Sequence, residues 1–370
     1  MLTKDIPVGK DPSWPPRPGP IGDRAPVVYL DQWCFDRLVR DSAGQPTVEN
    51  ERGLYQRFRD WAKDGKVVFP LAETHYRENW KRANLDARWD TAVVMGLLSG
   101  FNTIGVCGLA GWDAMTGVCA LAGVSNHLDV PDVLGWGMEH CLRSVERQGG
   151  IVDTRTGQPA QWGHLPETTQ AEIGALERLL AYRLELDMLA RRDPEMEAQG
   201  MARFAPLPDD DGVAFQADEQ TIRDAIERQG KSEGVVRNTL EFLSFRDSIP
   251  FIGAAERLLS LPIGSIISRV GEDLSDGRSE VLGRLIAAMP IQGTFTGLRI
   301  QTHLFDSWTG STSDLRDFMA MATALPFVDL FITDKRTCNL AHRALDQAAA
   351  SKVLRRLTDA ADWIEDRIPR

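Results

Sequence analysis

Six carboxylates stand where their neighbours would let them do chemistry. Asp31 closes the short β-branched and aromatic run Val27-Val28-Tyr29-Leu30, which reads as a buried strand, and Asp334 closes a similar run from Phe327 to Thr333. In an open parallel sheet ligands bind beyond the carboxyl ends of the strands, so the residue just past each strand is where function is expected. Glu73 and Glu78 follow a third strand candidate, Val67-Val68-Phe69, which Pro70 ends. Asp314 and Asp317 open a helix behind Ser313, and one helix, a turn and a strand separate them from Asp334. Carboxylates that converge in one cleft repel each other, and a divalent cation is the usual compensation. Hard oxygen ligands without histidine or cysteine partners favour Mg²⁺ or Mn²⁺ over zinc. Such a metal lowers the pKa of a bound water and offsets charge on a phosphodiester undergoing in-line displacement. Arg77, Lys81, Arg82, Arg316, Lys335 and Arg336 flank the acids and would hold phosphates. Acids at helix N-termini also stabilise the helix dipole with no catalytic role, so the pattern alone leaves both uses open.

The elements that must position these residues alternate at the start of the chain. Residues 1–26 carry seven prolines and form an arm rather than a helix or central strand. The run ending at Asp31, a helix from about Asp36, a helix from Gly53 to Asp64, the run at Val67 and a charged helix suggest an open parallel sheet. From about 100 to 295 the pattern is almost entirely helical. Thr169-x-x-Glu172 reads as a capping box ahead of Ile173, Leu176, Leu180, Leu184 and Met188 at helical spacing, and Asp193-Pro194 as the stop. Asp209-Asp210-Asp211-Gly212 reads as a loop, with helix again from Asp218 to Phe245. A helix over 314–325, broken by Pro326, leads to the last strand, and a closing helix runs from about Leu340 to Trp363.

Composition excludes several classes. The 370 residues carry 42 basic and 53 acidic side chains, which argues against a generally polybasic nucleic-acid coat, though not against a local basic cleft. The acidity belongs to residues 101–370, with 27 basic and 39 acidic side chains. Five cysteines without a C-x-x-C pair encode neither a zinc ribbon nor a disulfide framework and fit a reducing, cytoplasmic setting. Thr91 to Trp112 runs without a charge, but five glycines dilute it, which favours a buried core helix and turn over a membrane span. Gly230-Lys231-Ser232 lacks the first glycine of a phosphate-binding loop, and Gly105-x-x-Gly108-x-x-Gly111 is not a dinucleotide fingerprint. His75, beside Glu78, suits packing or hydrogen bonding better than catalysis. Six of the ten tryptophans crowd the first third, where one near a cleft could stack on a single-stranded base.

Taken in order, Val27-Val28-Tyr29-Leu30-Asp31, then Phe69-Pro70-Leu71-Ala72-Glu73-Thr74-His75-Tyr76-Arg77-Glu78, then Asp314-Leu315-Arg316-Asp317-Phe318-Met319-Ala320 and Ile332-Thr333-Asp334-Lys335 resemble PIN-like domains. The resemblance implies an α/β fold with an open parallel sheet and flanking helices. It also implies a Mg²⁺- or Mn²⁺-dependent nuclease, acting on RNA in preference to DNA, with water as the nucleophile. It makes Asp31 the first acid, Asp317 the third and Asp334 the fourth. The second is Glu78 or, one turn earlier, Glu73, and Asp314 supplements Asp317. The two matching blocks lie in residues 27–100 and 296–370, which makes 101–295 a helical insertion or cap. Two rivals stand beside this reading: a catalytically inactive PIN-like module whose acidic insertion binds a protein partner, as in a defence or toxin-type assembly, and a membrane-associated protein using 91–112.

Overall fold

The computed structural model describes residues 25–105, 109–124, 133–143, 166–191, 210–305 and 311–368. Nearly all of the expected arm, Cys107, Asp193-Pro194 and Asp209 lie outside the described residues. In chain order the first elements are β1 (Val28–Leu30), α1 (Gln32–Ser42), a 3-10 turn (Glu49–Glu51), α2 (Leu54–Lys63), α3 (Glu73–Trp80), α4 (Leu85–Ser99) and β2 (Asn102–Ile104). There follow α5 (Leu109–Ala122), β3 (Leu134–Trp136), α6 (Gly137–Arg143), α7 (Glu167–Ala190), α8 (Asp210–Arg228), α9 (Glu233–Leu258), α10 (Ser265–Ser275) and α11 (Glu280–Ala287). The chain closes with α12 (Pro290–Leu304), α13 (Asp314–Ala324), β4 (Leu330–Ile332), α14 (Lys335–Ala344), α15 (Gln347–Ala350), β5 (Val353–Leu354) and α16 (Leu357–Glu365). Helices dominate, and each of two compact units holds parallel strand pairing.

The first unit comprises residues 1–105, 133–208 and 356–370. Its strands lie in the order β1, the extended segment 67–71, β2, β3. Val28 N–H donates to the Val68 carbonyl and Val68 N–H to that of Pro26, a parallel pairing with β1. Three residues on, Leu71 pairs with Thr103 of β2. Pro70 offers no N–H between these two points, so the expected strand at Val67 survives as two bridges. β2 and β3 then pair antiparallel, with Asn102 opposite Trp136. Val27 to Leu30 and Phe69 are buried, because a parallel strand covered on both faces reads as a continuous apolar run.

Residues 106–132 and 209–355 form the second unit, so the span expected as one insertion, 101–295, is divided between the two. The reason lies in α5, whose Ala114, Met115, Val118 and Leu121 join Phe245, Ile252, Val270, Leu285 and Met289 in one hydrophobic core. In this unit β4 and β5 pair parallel, with Phe331 opposite Val353 and Ile332 opposite Leu354. The expected closing helix is broken into α14, α15 and β5 in this unit and α16 in the first.

Several local expectations resolve differently. Helix α7 starts at Glu167 behind Pro166, with no side-chain cap, so the box at Thr169 is not used. Its Leu176, Leu180 and Leu184 are exposed while Tyr182, Leu186 and Leu189 are buried, so the helix turns the other face to its unit. The stretch expected as a loop at 210–212 is already helical, and the helix expected through Phe245 breaks before Ser232, which caps α9 through Val235 N–H. The uncharged stretch 91–112 is divided among α4, β2 and α5, and no helix among the described residues is long and apolar enough to cross a membrane.

Candidate functional site

In the first unit β1 delivers Asp31 as the N-cap of α1, with φ −63° and ψ 160°, and its Oδ1 accepts the Gln32 amide at 2.7 Å. In the second unit β4 leads through Thr333 to Asp334, which caps α14 at φ −62° and ψ 166° and accepts from the Arg336 and Thr337 amides. Strand-end acids and helix caps are therefore one and the same here. Asp346 caps α15 in the same conformation without a strand before it, so the backbone alone does not mark a site.

The surroundings of Asp31 do. Tyr29, two residues earlier on β1, is buried, and its hydroxyl lies 3.1 Å from the Thr74 hydroxyl on α3. Burial raises the Tyr29 pKa well above the ordinary value, and the Asp31 carboxylate raises it further, against the Thr74 bond; Glu78 and Cys141 add to the rise. Asp31 and Glu78 thus act on one buried phenol, whereas Glu73 bears on the Cys141 thiol and pairs with Arg77 at 2.6 Å. Tyr29 and Thr74 escaped the sequence reading, although the two-residue period of a strand puts Tyr29 and Asp31 on one face.

His75 ties the two acid-bearing elements together. Its Nε2–H donates to the Leu30 carbonyl, immediately before Asp31, at 2.7 Å, and its Nδ1 accepts the Ala72 amide that starts α3 at 2.8 Å. These two bonds fix a neutral tautomer, and burial pushes its pKa down to about 4. The hydrogen-bonding use expected for His75 is the one found. Further along this sheet Thr103 Oγ1 meets His140 Nδ1 at 2.9 Å, and a Cβ on Gly135 would stand 2.3 Å from that ring, so β3 needs a glycine there.

In the second unit Asp314 is buried at the first turn of α13. Its carboxylate accepts the Ser311 amide and hydroxyl, each at 2.8 Å, and the Arg336 guanidinium at 3.1 Å. Asp317 lies one turn on and is half-buried, as is Asp334. Among the flanking cations, Arg77 pairs with Glu73, Arg82 with Asp36 and Arg336 with Asp314; Arg316 is buried, Lys81 half-buried and Lys335 exposed. The same unit contains a cavity of about 520 Å³ that sequence reading did not foresee, lined by Glu241, Gly293, Thr294, Leu325 and Lys352 among others.

Among the described residues no group of three or more His, Cys, Asp or Glu gathers in a way that could hold a metal ion. Mg²⁺ takes one or two carboxylates and fills its octahedron with waters and substrate phosphates, so a site for that ion needs fewer protein ligands than such a group. Comparison of the chain with protein-family models, with curated proteins and with solved structures found no match.

Proposed function

We propose that the chain is a PIN-like, divalent-metal-dependent nuclease acting on RNA in preference to DNA. The observation that carries this reading is Asp31, delivered at the carboxyl end of a parallel-bridged strand as the cap of α1, with the Asp31 and Glu78 carboxylates both raising the pKa of the buried Tyr29 phenol. Asp31 and Glu78 are the metal ligands of the first unit, and a bound Mg²⁺ or Mn²⁺ supplies an activated water and offsets phosphate charge. The Tyr29 phenol stays protonated and holds the Thr74 hydroxyl. Asp317 and Asp334 are the acids the resemblance adds from the second unit, with Asp314 supporting α13 and Glu73 holding Arg77.

Calorimetric titration with Mn²⁺ tests the reading without knowledge of the substrate. Asp31→Asn loses the binding heat of the wild type in this scheme. Asp334→Asn, titrated alongside, reports whether the second unit contributes. Equal binding by the wild type and both variants would sink the proposal. A second reading, an inactive PIN-like module that binds a protein partner, draws on the engagement of Arg77, Arg82 and Arg336 by acids of their own chain. Nuclease activity lost in Asp31→Asn would exclude it.

A further inference from the structure

The cavity of about 520 Å³ in the second unit lies in the size range of small-ligand sites, and the nuclease reading makes no use of it. Ala287, Asp346 and Ala348 line it and are exposed, so its mouth is open to solvent. Its deeper wall is apolar, with Met289, Ile300 and Leu325 buried. Three helices end along this cavity: Ile286 and Ala287 close α11, Leu325 follows α13 and Ala344 closes α14. Each brings the negative end of its dipole. Gly293 and Gly297, one turn apart on α12, let two of these ends come close. A Cβ at Gly293 would stand 2.7 Å from the Ile286 carbonyl oxygen, and one at Gly297 3.2 Å from that of Ala344.

Glu241 of α9 adds a full charge to the lining. It is buried, and its Oε1 lies 3.5 Å from Arg237 Nη1, while Arg237 Nη2 lies 3.4 Å from Glu233. One arginine, at long range, is thus shared between two acids. Burial raises the Glu241 pKa against the pull of Arg237. Lys352, also at the cavity, donates to the Val328 carbonyl at 3.3 Å.

We propose that this cavity binds a small organic cation, a primary ammonium on an apolar body, with Glu241 as the group that holds the ammonium. The helix ends add to the attraction, and Met289, Ile300 and Leu325 receive the apolar body. An anion would face Glu241 and three negative helix ends, and a neutral ligand would leave a buried charge with only its shared arginine. The inference is independent of the nuclease reading.

The full chain is titrated calorimetrically at neutral pH with hexylamine, hexanol and hexanoate, which share an apolar chain and differ in charge. Wild type binds hexylamine about tenfold or more tightly than the other two, as one charge-assisted hydrogen bond provides. Glu241→Gln, of the same size but uncharged, loses that preference. Ala348→Trp leaves Glu241 in place and narrows the mouth from an exposed position, so hexylamine binding falls. Absence of hexylamine binding by the wild type, or hexanol or hexanoate bound as tightly, would overturn the inference. So would a preference that survives Glu241→Gln, or a hexylamine affinity that Ala348→Trp leaves unchanged, since the amine would then bind elsewhere. Circular dichroism shows whether Glu241→Gln folds; if it does not, the wild-type selectivity and Ala348→Trp decide.

Discussion

The clamp at His75 gives the sharpest quantitative prediction. The ring is buried, donates to the Leu30 carbonyl and accepts from the Ala72 amide, and burial places its pKa at about 4 instead of 6.5. At about 1.4 kcal/mol per pKa unit that displacement amounts to about 3 kcal/mol. The unfolded chain takes up this proton near the ordinary value, the folded chain only near the depressed one. The contribution is therefore complete above pH 6.5 and is lost as pH falls towards 4. Urea unfolding of the wild type and of His75→Gln, which cannot titrate, isolates it. Between about pH 7.5 and about pH 4 the wild type should lose about 3 kcal/mol more than the variant. Parallel profiles for the two proteins would refute the argument, as would a measured His75 pKa near the ordinary value. At neutral pH His75→Ala should cost about 1–3 kcal/mol for each of the two backbone groups it leaves unmet.

Two predictions concern the second unit. Burial raises Asp113 to about 6, against the Ile291 and Gln292 amides it accepts at the start of α12. Its folded pKa lies above the unfolded one, so acidification from above 6 to below 3.8 should stabilise the wild type relative to Asp113→Asn by about 3 kcal/mol. That is opposite in sign to the His75 effect, and urea midpoints across the range decide it. Glu219 on α8 is buried, which alone would raise its pKa, yet His303 at 2.7 Å and Arg299 at 2.5 Å, both on α12, hold it down. Glu219→Ala strands a buried guanidinium and should cost about 3–5 kcal/mol in denaturant unfolding. A loss below about 1 kcal/mol would show that the trio is not a buried ion pair.

What the sequence made legible is what short-range physics decides. The run Val27-Val28-Tyr29-Leu30 is β-branched, aromatic and buried, and it hands Asp31 to a helix as expected. The run ending at Asp334 does the same, although only Leu330–Ile332 forms regular strand. The helix 314–324 ends at Pro326 within a residue or two of expectation. What stayed hidden is non-local. β2 and β3 are three residues each, and Asn102 and Gly135 carry no strand propensity; they pair because the segment at Leu71 hydrogen-bonds Asn102 and Ile104. The leucines at helical spacing in α7 lie on its exposed side, because Tyr182, Leu186 and Leu189 offer a competing stripe that is buried on the same helix.

The acidic surplus shows why site assignment from sequence ran into difficulty. Four of those carboxylates serve as helix caps supplied from another element: Glu185 for Met138 in α6, Asp113 for Ile291 and Gln292 in α12, Glu256 for Gly264 and Ile266 at α10, and Asp273 for Val281 in α11. The N-cap residues of α10, α11 and α12 make no side-chain cap of their own, and the acceptor comes from elsewhere in the chain, so these acids are anchors that local sequence does not reveal. By the same logic Asp314, with Ser311 and Arg336 on its oxygens, behaves as an anchor of α13. An acid at a helix start thus becomes a candidate for chemistry only through what surrounds it beyond the cap. Asp334 and Asp346 share the cap conformation of Asp31. Asp31 adds to the cap a second carboxylate, Glu78, that raises the pKa of the same buried phenol.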